Sequence, residues 1–589
     1  MRFERCGRGT TESKLANKGK VLVLGADVRS FLSVIRSLGR YGVEVHIAWA
    51  DDACPALRSR YVTRHHRITH FTAPDHGWLE DFTALLRKEQ YDLVIPCDDQ
   101  RIVPLQMHRD SLSQVARIEL NHAEAHRVAA SKHESYELAK RLGVPVAANA
   151  LVNTAEELTR AVESMSLPMV LKPLSSFVSK DLLVRQEVQK AYSHESALRK
   201  GTAMLTNGPL QVQENFIGLG TGIEFLAING DAVVRFQHLR VHEPMQGGGS
   251  SYRQSIPLHA GMLAAAKKLI EALKYDGVGM IEFKWNRETD QFVFIEINAR
   301  FWGSLPLAIA AGADFPAFLY QYRVEGRTEF PKAFKVPYFA RNWVNDIDWL
   351  RENARADRAD PRISSLPWPV VARELLTVLK GRESADTFAW DDPRPFFNEF
   401  GVWFHSKVAV LKRKLSNRLR DSAPARTSAA SKLRRCLRGA SHVEFVCYGN
   451  ICRSPYAEGV FKSQSAAQGV SATCSSSGFH AHTGRESPDT AIAVGAEMGI
   501  DLRAHRSALI SVDAVQKANA ILVFDWQNFD MLCERFPDAR AKVFMLGVLT
   551  DSGSCVIADP YGQASTGFRT VYAQINQGVR RLQAILAER

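Results

Sequence analysis

The sequence predicts a multidomain α/β protein, and three observations carry that prediction. Apolar runs such as VLVLG (Val21 to Gly25) alternate with amphipathic helical stretches near the N-terminus. From about Ser131 the pattern shifts to helices mixed with strands that look antiparallel. Beyond a basic stretch, VEFVCYGNICRSP opens a second α/β series that runs to the C-terminus. A length of 589 residues suits three or four folding units. The 46% apolar and 23% charged composition excludes general disorder.

Taken in order, residues 1–19 read as a loose tail and residues 20–120 as a parallel, Rossmann-like subdomain. Its elements are VLVLG, the helix FLSVIRSLGRYG ending at Gly42, the strand VEVHIAWA, and YDLVIPCDD (Tyr91 to Asp99). Its first turn is Gly25-Ala26-Asp27 rather than GxGxxG, so a dinucleotide site is poorly supported. Residues 121–330 carry the strands LPMVLKPL, LQVQENFI, IEFLAING, DAVVRFQHL, GMIEFKWN and FVFIEINAR. Residues 331–408 read as a helical extension without a motif, 409–440 as a basic linker with helical ends, and 441–589 as the last domain. No internal repeat is visible.

The net charge of +12 suggests nucleic acid until it is located. Lys412, Arg413, Lys414, Arg418, Arg420, Arg426, Lys432, Arg434, Arg435 and Arg438 crowd one segment against a single acid, Asp421. The charge therefore describes that segment and predicts no specific nucleic-acid partner for the folded domains; docking onto an acidic membrane face or nucleic acid stays open for the segment itself. The longest apolar-leaning run, Phe301 to Ala313, is too short to span a bilayer, and the N-terminus lacks the apolar core of a secretory signal. Nine cysteines without a CxxC pair predict a reducing, cytoplasmic compartment.

The strongest chemical signal is Cys447-Tyr448-Gly449-Asn450-Ile451-Cys452-Arg453-Ser454, placed between an apolar strand and a helix. Such a loop gathers consecutive backbone N–H groups into a concavity that suits a tetrahedral dianion. A cysteine at the strand end beneath those amides, beside a guanidinium, sits where a thiolate nucleophile is favoured. Arg453 can grip two phosphate oxygens, and Ser454 can donate to the sulfur. Gly449 is expected to supply positive φ, with Asn450 tolerating it. Asp559-Pro560-Tyr561 near the chain end offers a proton donor for a leaving group and an aromatic wall. With SSSG (Ser475 to Gly478), GIDLRAHRS (Gly499 to Ser507) and ILVFD (Ile521 to Asp525), residues 443–589 resemble the low-molecular-weight protein tyrosine phosphatases. The resemblance implies a phosphocysteine at Cys447, phosphate held by residues 448–453, and Asp559 as general acid and then base. It also implies a phosphotyrosine protein as partner, a tyrosine kinase of polysaccharide export being one candidate, and no cofactor. Cys452 is expected within disulfide reach of Cys447. Arsenate reductases of the same fold are the runner-up, but Cys474, Cys533 and Cys555 are too far apart in sequence for their resolving pair. His480 and His482 read as a loop pair rather than metal ligands.

In the N-terminal half, alternation along FVFIEINAR puts Glu296, Asn298 and Arg300 on one face, and a neighbouring strand brings Glu282. Two carboxylates and an amide oxygen suit Mg²⁺. Lys132, Lys172, Gln213 and Glu214 are candidate nucleotide contacts. The order Lys, VLKP, QE, IEF, EINAR resembles the ATP-grasp superfamily. That resemblance implies ATP with Lys132 and Lys172 at its phosphates and Glu214 at the adenine hinge. It implies Mg²⁺ held by Glu282, Glu296 and Asn298, with Arg300 facing developing charge. It also implies a small-molecule carboxylate, activated as an acyl phosphate, and an amine acceptor. The loop after Lys172 departs from the glycine-rich pattern, which brings in Lys180; Gly247-Gly248-Gly249-Ser250-Ser251 can approach the phosphates or acceptor, with Arg253 holding a carboxylate, or be merely flexible. An ATP-sensing, non-catalytic module that regulates the phosphatase is the competing reading.

Overall fold

The computed structural model describes residues 18–588 apart from 73–76, 175–176, 179–180, 245–248, 356–364, 482 and 564. The chain divides into two compact units, residues 1–404 and 405–589.

The first unit begins with a parallel sheet ordered Val62–His66, Glu44–Ala48, Lys20–Leu24, Leu93–Pro96. Its central strand is apolar on both faces because both are covered. Val21 and Val23 pack with Phe31, Ile35 and Leu38 of the helix Ser30–Tyr41, while Leu22 and Leu24 pack with Phe82 and Leu86 of the helix Trp78–Glu89. The first helix stops at Gly42, whose φ of 95° suits glycine. Asp27 caps its start, accepting from Arg29 N at 2.6 Å and from the Ser30 hydroxyl. The first turn thus spends its carboxylate on the helix.

A small antiparallel sheet follows, ordered Asn149–Val152, Leu210–Glu214, Met169–Pro173, Gln189–Ala191. Leu158, Val162 and Ala197 from two helices cover the face formed by Met169, Leu171, Leu210 and Val212. The opposite face therefore carries Lys172 and its cross-strand neighbour Gln211. A seven-stranded sheet runs Gln291–Asn298, Gly277–Asn286, Leu219–Ile228, Asp231–His242, Tyr252–Ser255, Phe339–Arg341, Glu383–Ala385.

Residues 331–408 are not simply helical, since they supply the last two strands of that sheet. Each has three residues, too few to register as an alternating pattern. A buried polar network anchors them: Arg341 pairs with Glu383 at 2.8 Å and with Asp346 at 2.5 Å. Asp346 and Glu374 in turn flank His242 at 2.7 and 2.9 Å.

The second unit centres on a parallel sheet ordered Thr473–Gly478, His442–Cys447, Ala520–Val523, Val543–Met545. The basic segment read as a linker forms the helices Arg394–Arg420 and Ala423–Leu437. The second of these is docked, with Leu433 and Leu437 buried in one core with Phe445, Tyr572 and Leu582. Asp421, the lone acid there, accepts from Ser554 Oγ at 2.8 Å and from Cys555 N. Two leucines among so many charges do not stand out in sequence. No helix among the described residues is long and apolar enough to cross a membrane.

Candidate active sites

Cys447 closes the fully buried strand His442–Cys447, and the helix Arg453–Ser465 starts six residues later. Between them the loop turns at Asn450, whose φ is 52°. Positive φ therefore falls on Asn450, and Gly449 is not among the positive-φ residues. Asn450 is fully buried and acts as the spine of the loop. Its backbone N–H donates to Cys447 Sγ at 3.2 Å, its Nδ2 to Ser454 Oγ and Ser476 Oγ at 2.9 Å each. Its Oδ1 accepts from Ala508 N at 2.8 Å, and its carbonyl accepts from His505 Nε2 at 2.7 Å. A Cβ at Gly478 would lie 2.8 Å from the carbonyl oxygens of Cys447 and Tyr448, so only glycine lets the loop pass that strand end.

Ser454 Oγ lies 3.1 Å from Cys447 Sγ, so the sulfur has two short polar neighbours on one side. Arg453, 1% exposed, holds Asp525 Oδ2 at 2.6 Å and Ile557 O at 3.1 Å through Nη1, and Asp559 Oδ2 at 2.7 Å through Nη2. Its Nε is buried and has no partner among the described residues. A buried donor without an acceptor is costly, and a phosphate oxygen would satisfy it. Asp559 Oδ1 accepts from Tyr561 N at 3.2 Å. Tyr448 and Tyr561 are exposed. Cys452 is buried, and burial together with the neighbouring Cys447 pushes its thiol up. The Ile451 side chain is half-buried.

Asp525, Arg485 and His505 were missed as site residues. Arg485 Nη2 donates to Gly449 O at 2.6 Å. A crossover of the parallel sheet brings Arg485 and His505 to the loop, and Asp525 follows the neighbouring strand Ala520–Val523. GIDLRAHRS and ILVFD contain His505 and Asp525, but nothing in those motifs marks the contacts they make. His480 stacks edge-on to Tyr448 at 6.1 Å, and His482 lies outside the described residues. Cys474 and Cys555 are buried in different apolar clusters.

In the first unit, Glu282 and Glu296 face each other across adjacent strands, and Asn298 stands opposite Met280. Asn298 Nδ2 lies 3.4 Å from Glu296 Oε1, and Lys132 Nζ lies 3.9 Å from Glu296 Oε2. Ser131 caps the helix that Lys132 opens, and Lys132 N donates to Leu174 O at 3.0 Å, tying it to the end of the Lys172 strand. Burial lowers Lys172 to about 8, against the pull of Glu296. Burial also disfavours charge on both carboxylates. At Glu296 it is outweighed by Lys132, Lys172 and Arg300, so that group titrates low, while at Glu282 burial and Glu296 prevail over Arg240 and it titrates high.

Arg240 is a neighbour of the cluster that strand periodicity hid. Its Nη2 reaches Glu282 Oε2 at 2.7 Å from two strands away. The intervening strand carries Gly220 and Gly222, and a Cβ at Gly220 would lie 2.6 Å from Arg240 Cδ. Alternating glycines in a strand are the sequence signal for such a close approach.

Arg300 does not point freely at the face of Glu296 and Asn298; its Nε donates to Asp99 Oδ2 at 2.9 Å and its Nη1 to Phe301 O at 3.0 Å. Gln213 shares the face of Lys172 and is buried, whereas Glu214 alternates to the other face and is exposed. Arg253 is buried against Asp386, Ser250 O and Gly303 O rather than lining a cleft. Lys180, Gly247 and Gly248 lie outside the described residues. Two carboxylates and an amide, all hard donors beside two lysines, fit Mg²⁺ with a polyphosphate.

Residues 442–589 match the model of the low molecular weight phosphotyrosine protein phosphatases. Over 149 residues the chain is 33% identical to the low molecular weight protein-tyrosine-phosphatase Wzb of Escherichia coli K12, covering 25% of this chain and 97% of that protein. The chain belongs to the low-molecular-weight protein tyrosine phosphatase family. It is also 33% identical over 138 residues to a protein-arginine-phosphatase of Geobacillus stearothermophilus, covering 23% of this chain and 90% of that protein. Residues 222–342 match a family described as ATP-grasp in the biosynthetic pathway with Ter operon. A solved N5-carboxyaminoimidazole synthetase from Staphylococcus aureus, complexed with ADP, is similar at 14% identity and a TM-score of 0.47, covering 62% of this chain and 98% of that one. This family member therefore joins a phosphatase to an ATP-grasp, ligase-like module.

Proposed function

We propose that the second unit hydrolyses phosphotyrosine in proteins and that the first joins a carboxylate to an amine at the expense of ATP. The observation that carries the first half is the Cys447 sulfur beneath Asn450 N–H and Ser454 Oγ, beside the buried Arg453 whose Nε lacks an acceptor. The Cys447 sulfur attacks phosphorus, and the P–O bond to the tyrosyl oxygen breaks as Asp559 gives that oxygen a proton. Arg453 and the loop amides hold the equatorial oxygens. Asp559 then takes a proton from water, whose oxygen attacks phosphorus and releases phosphate and the sulfur. Ser454 donates to the sulfur as it departs. The exposed rings of Tyr448 and Tyr561 support an aromatic leaving group.

In the first unit, Lys132 and Lys172 hold the ATP phosphates, while Glu282, Glu296 and Asn298 would hold Mg²⁺, which supplies charge neutralisation at the transferring group. The carboxylate oxygen attacks the γ-phosphorus, ADP leaves, and the amine displaces phosphate from the acyl carbon. Arg240 orients Glu282. Unpaired cysteines among the described residues support a reducing, cytoplasmic setting. The phosphatase reading is tested by assaying Cys447→Ser on phosphotyrosine and phosphoarginine peptides. Loss of phosphotyrosine hydrolysis with phosphate still binding is the expected outcome, and preferential phosphoarginine turnover by the unaltered chain would overturn it. For the ligase, ADP release dependent on both a carboxylate and an amine is expected; ATP binding without turnover across such libraries favours the sensor.

A further inference from the structure

Far in sequence from both sites, the edge of the first parallel sheet gathers two histidines and a glutamate. His46 lies on the strand Glu44–Ala48, His66 on the neighbouring strand Val62–His66, and Glu89 ends the helix Trp78–Glu89. His46 shares the sheet face of Ala48, which is the face that helix covers. His46 Nδ1 lies 3.0 Å from His66 Nε2 and 3.9 Å from Glu89 Oε2, and all three ligand atoms fall within 4.8 Å of one another. Tyr91 Oη stands 3.0 Å from both nitrogens.

We propose that His46, His66 and Glu89 bind one divalent transition-metal ion, zinc being the fitting occupant, with Tyr91 at the fourth corner. Atoms held by a tetrahedral zinc at about 2.0–2.2 Å are separated by roughly 3.4 Å. The His46–His66 and His46–Glu89 separations, 3.0 and 3.9 Å, bracket that value, and the His66–Glu89 separation lies within 4.8 Å, so small side-chain adjustments bring the three atoms to one ion. The outer contacts point the same way. Glu44 Oε1 accepts from His46 Nε2 at 2.9 Å, which fixes the ring with its Nδ1 lone pair toward the cluster. A carboxylate behind a histidine is the usual support of a metal-bound imidazole. Lys20 Nζ and Arg64 Nη1 hold the Glu89 oxygens at 3.1 Å each, using one lone pair on each and leaving others for a metal. Two imidazoles select zinc or its softer neighbours over Mg²⁺, so this site does not compete with the oxygen donors at Glu282 and Glu296. A four-cornered site leaves no position for substrate and ties two strands to the end of a helix. The metal-free alternative is a hydrogen-bond chain in which His66 Nε2–H donates to His46 Nδ1.

The full chain, stripped with a chelator, is titrated with Zn²⁺ against a chromogenic chelator and with Co²⁺ by visible absorption, both in excess Mg²⁺. One zinc per chain is expected, with a tetrahedral cobalt spectrum free of a thiolate charge-transfer band. His66→Ala should weaken binding by about 100-fold or more, and Glu44→Gln by about 10- to 100-fold. Cys447→Ser should leave it unchanged. Zinc should raise the melting temperature of the unaltered chain and not of His66→Ala. Circular dichroism and ATP turnover report whether the variants fold, and Glu44→Gln carries the test should His66→Ala misfold. The proposal is overturned by no zinc uptake, by uptake that survives both variants in folded protein, or by a thiolate band that traces the ion to cysteine.

Discussion

Replacing Asp559 by asparagine separates two effects that the structure places on one side chain. Asp559 Oδ2 holds Arg453 Nη2 at 2.7 Å, while Asp525 and Ile557 O hold the other terminal nitrogen. The amide keeps the shape and the contact with Tyr561 N but cannot donate a carboxylic proton. A tyrosyl leaving group, with an ordinary pKa near 10, needs that proton, and general acids contribute about 10²–10⁴-fold. Hydrolysis of a phosphotyrosine peptide should fall by that factor, and hydrolysis of an activated nitrophenyl phosphate by much less. Phosphate affinity should move the other way, because a carboxylate that competes for Arg453 is gone. The Asp559 side chain is 49% exposed, so screening limits the gain to about 1 kcal/mol, or roughly fivefold in the inhibition constant for phosphate. Steady-state kinetics on both substrates, with phosphate as competitive inhibitor, read all three numbers. Equal losses on the two substrates, or weaker phosphate inhibition, would refute the assignment.

Glu296→Ala should cut Mg²⁺-dependent ATP turnover by orders of magnitude while the same preparation keeps its phosphatase rate; a parallel fall in both would revive the ATP-sensor reading. Cys452→Ser should fail to recover activity with thiol after a peroxide pulse that the unaltered chain survives through a Cys447–Cys452 disulfide, and equal recovery would discard that pairing. His242 is raised above its ordinary value because, although burial disfavours its charge, hydrogen bonds to Asp346 and Glu374 outweigh that cost. Its contribution to stability is therefore complete below about pH 6.5 and lost as pH rises through the higher folded value. Melting temperature against pH should show this decline in the unaltered chain and a flatter profile in His242→Gln.

The phosphatase loop was legible because its chemistry is contiguous: nucleophile, amides, guanidinium and hydroxyl fall within Cys447–Ser454. The grouping of Glu282, Glu296 and Asn298 was legible because strand alternation and pairing fix which residues share a side. Residues that reach a site from elsewhere were not. Arg240 arrives across Gly220 and Gly222, Arg485 arrives on a crossover, and Asp525 arrives from the end of the neighbouring strand, pairings that sequence spacing does not reveal. Arg300 read as free because its partner, Asp99, sits in another subdomain. Gly449 drew the positive φ by residue type, but the many contacts of Asn450 hold that conformation on a residue that tolerates it nearly as well.

Both sites solve one electrostatic problem in the same way. A buried cation without an acceptor is costly, and a half-buried carboxylate without a cation is costly too. Here each is paired beforehand: Arg453 with Asp525 and Asp559, Arg240 with Glu282, and Lys132 with Glu296 at longer range. Substrate binding is then an exchange of partners rather than the burial of new charge. Under the proposed mechanism Asp559, the more exposed of the two Arg453 carboxylates, is the one that leaves to carry a proton, while Asp525 also caps the helix Trp526–Arg535 and stays on the guanidinium. The division of labour between two acids on one arginine follows from which of them the fold has already committed.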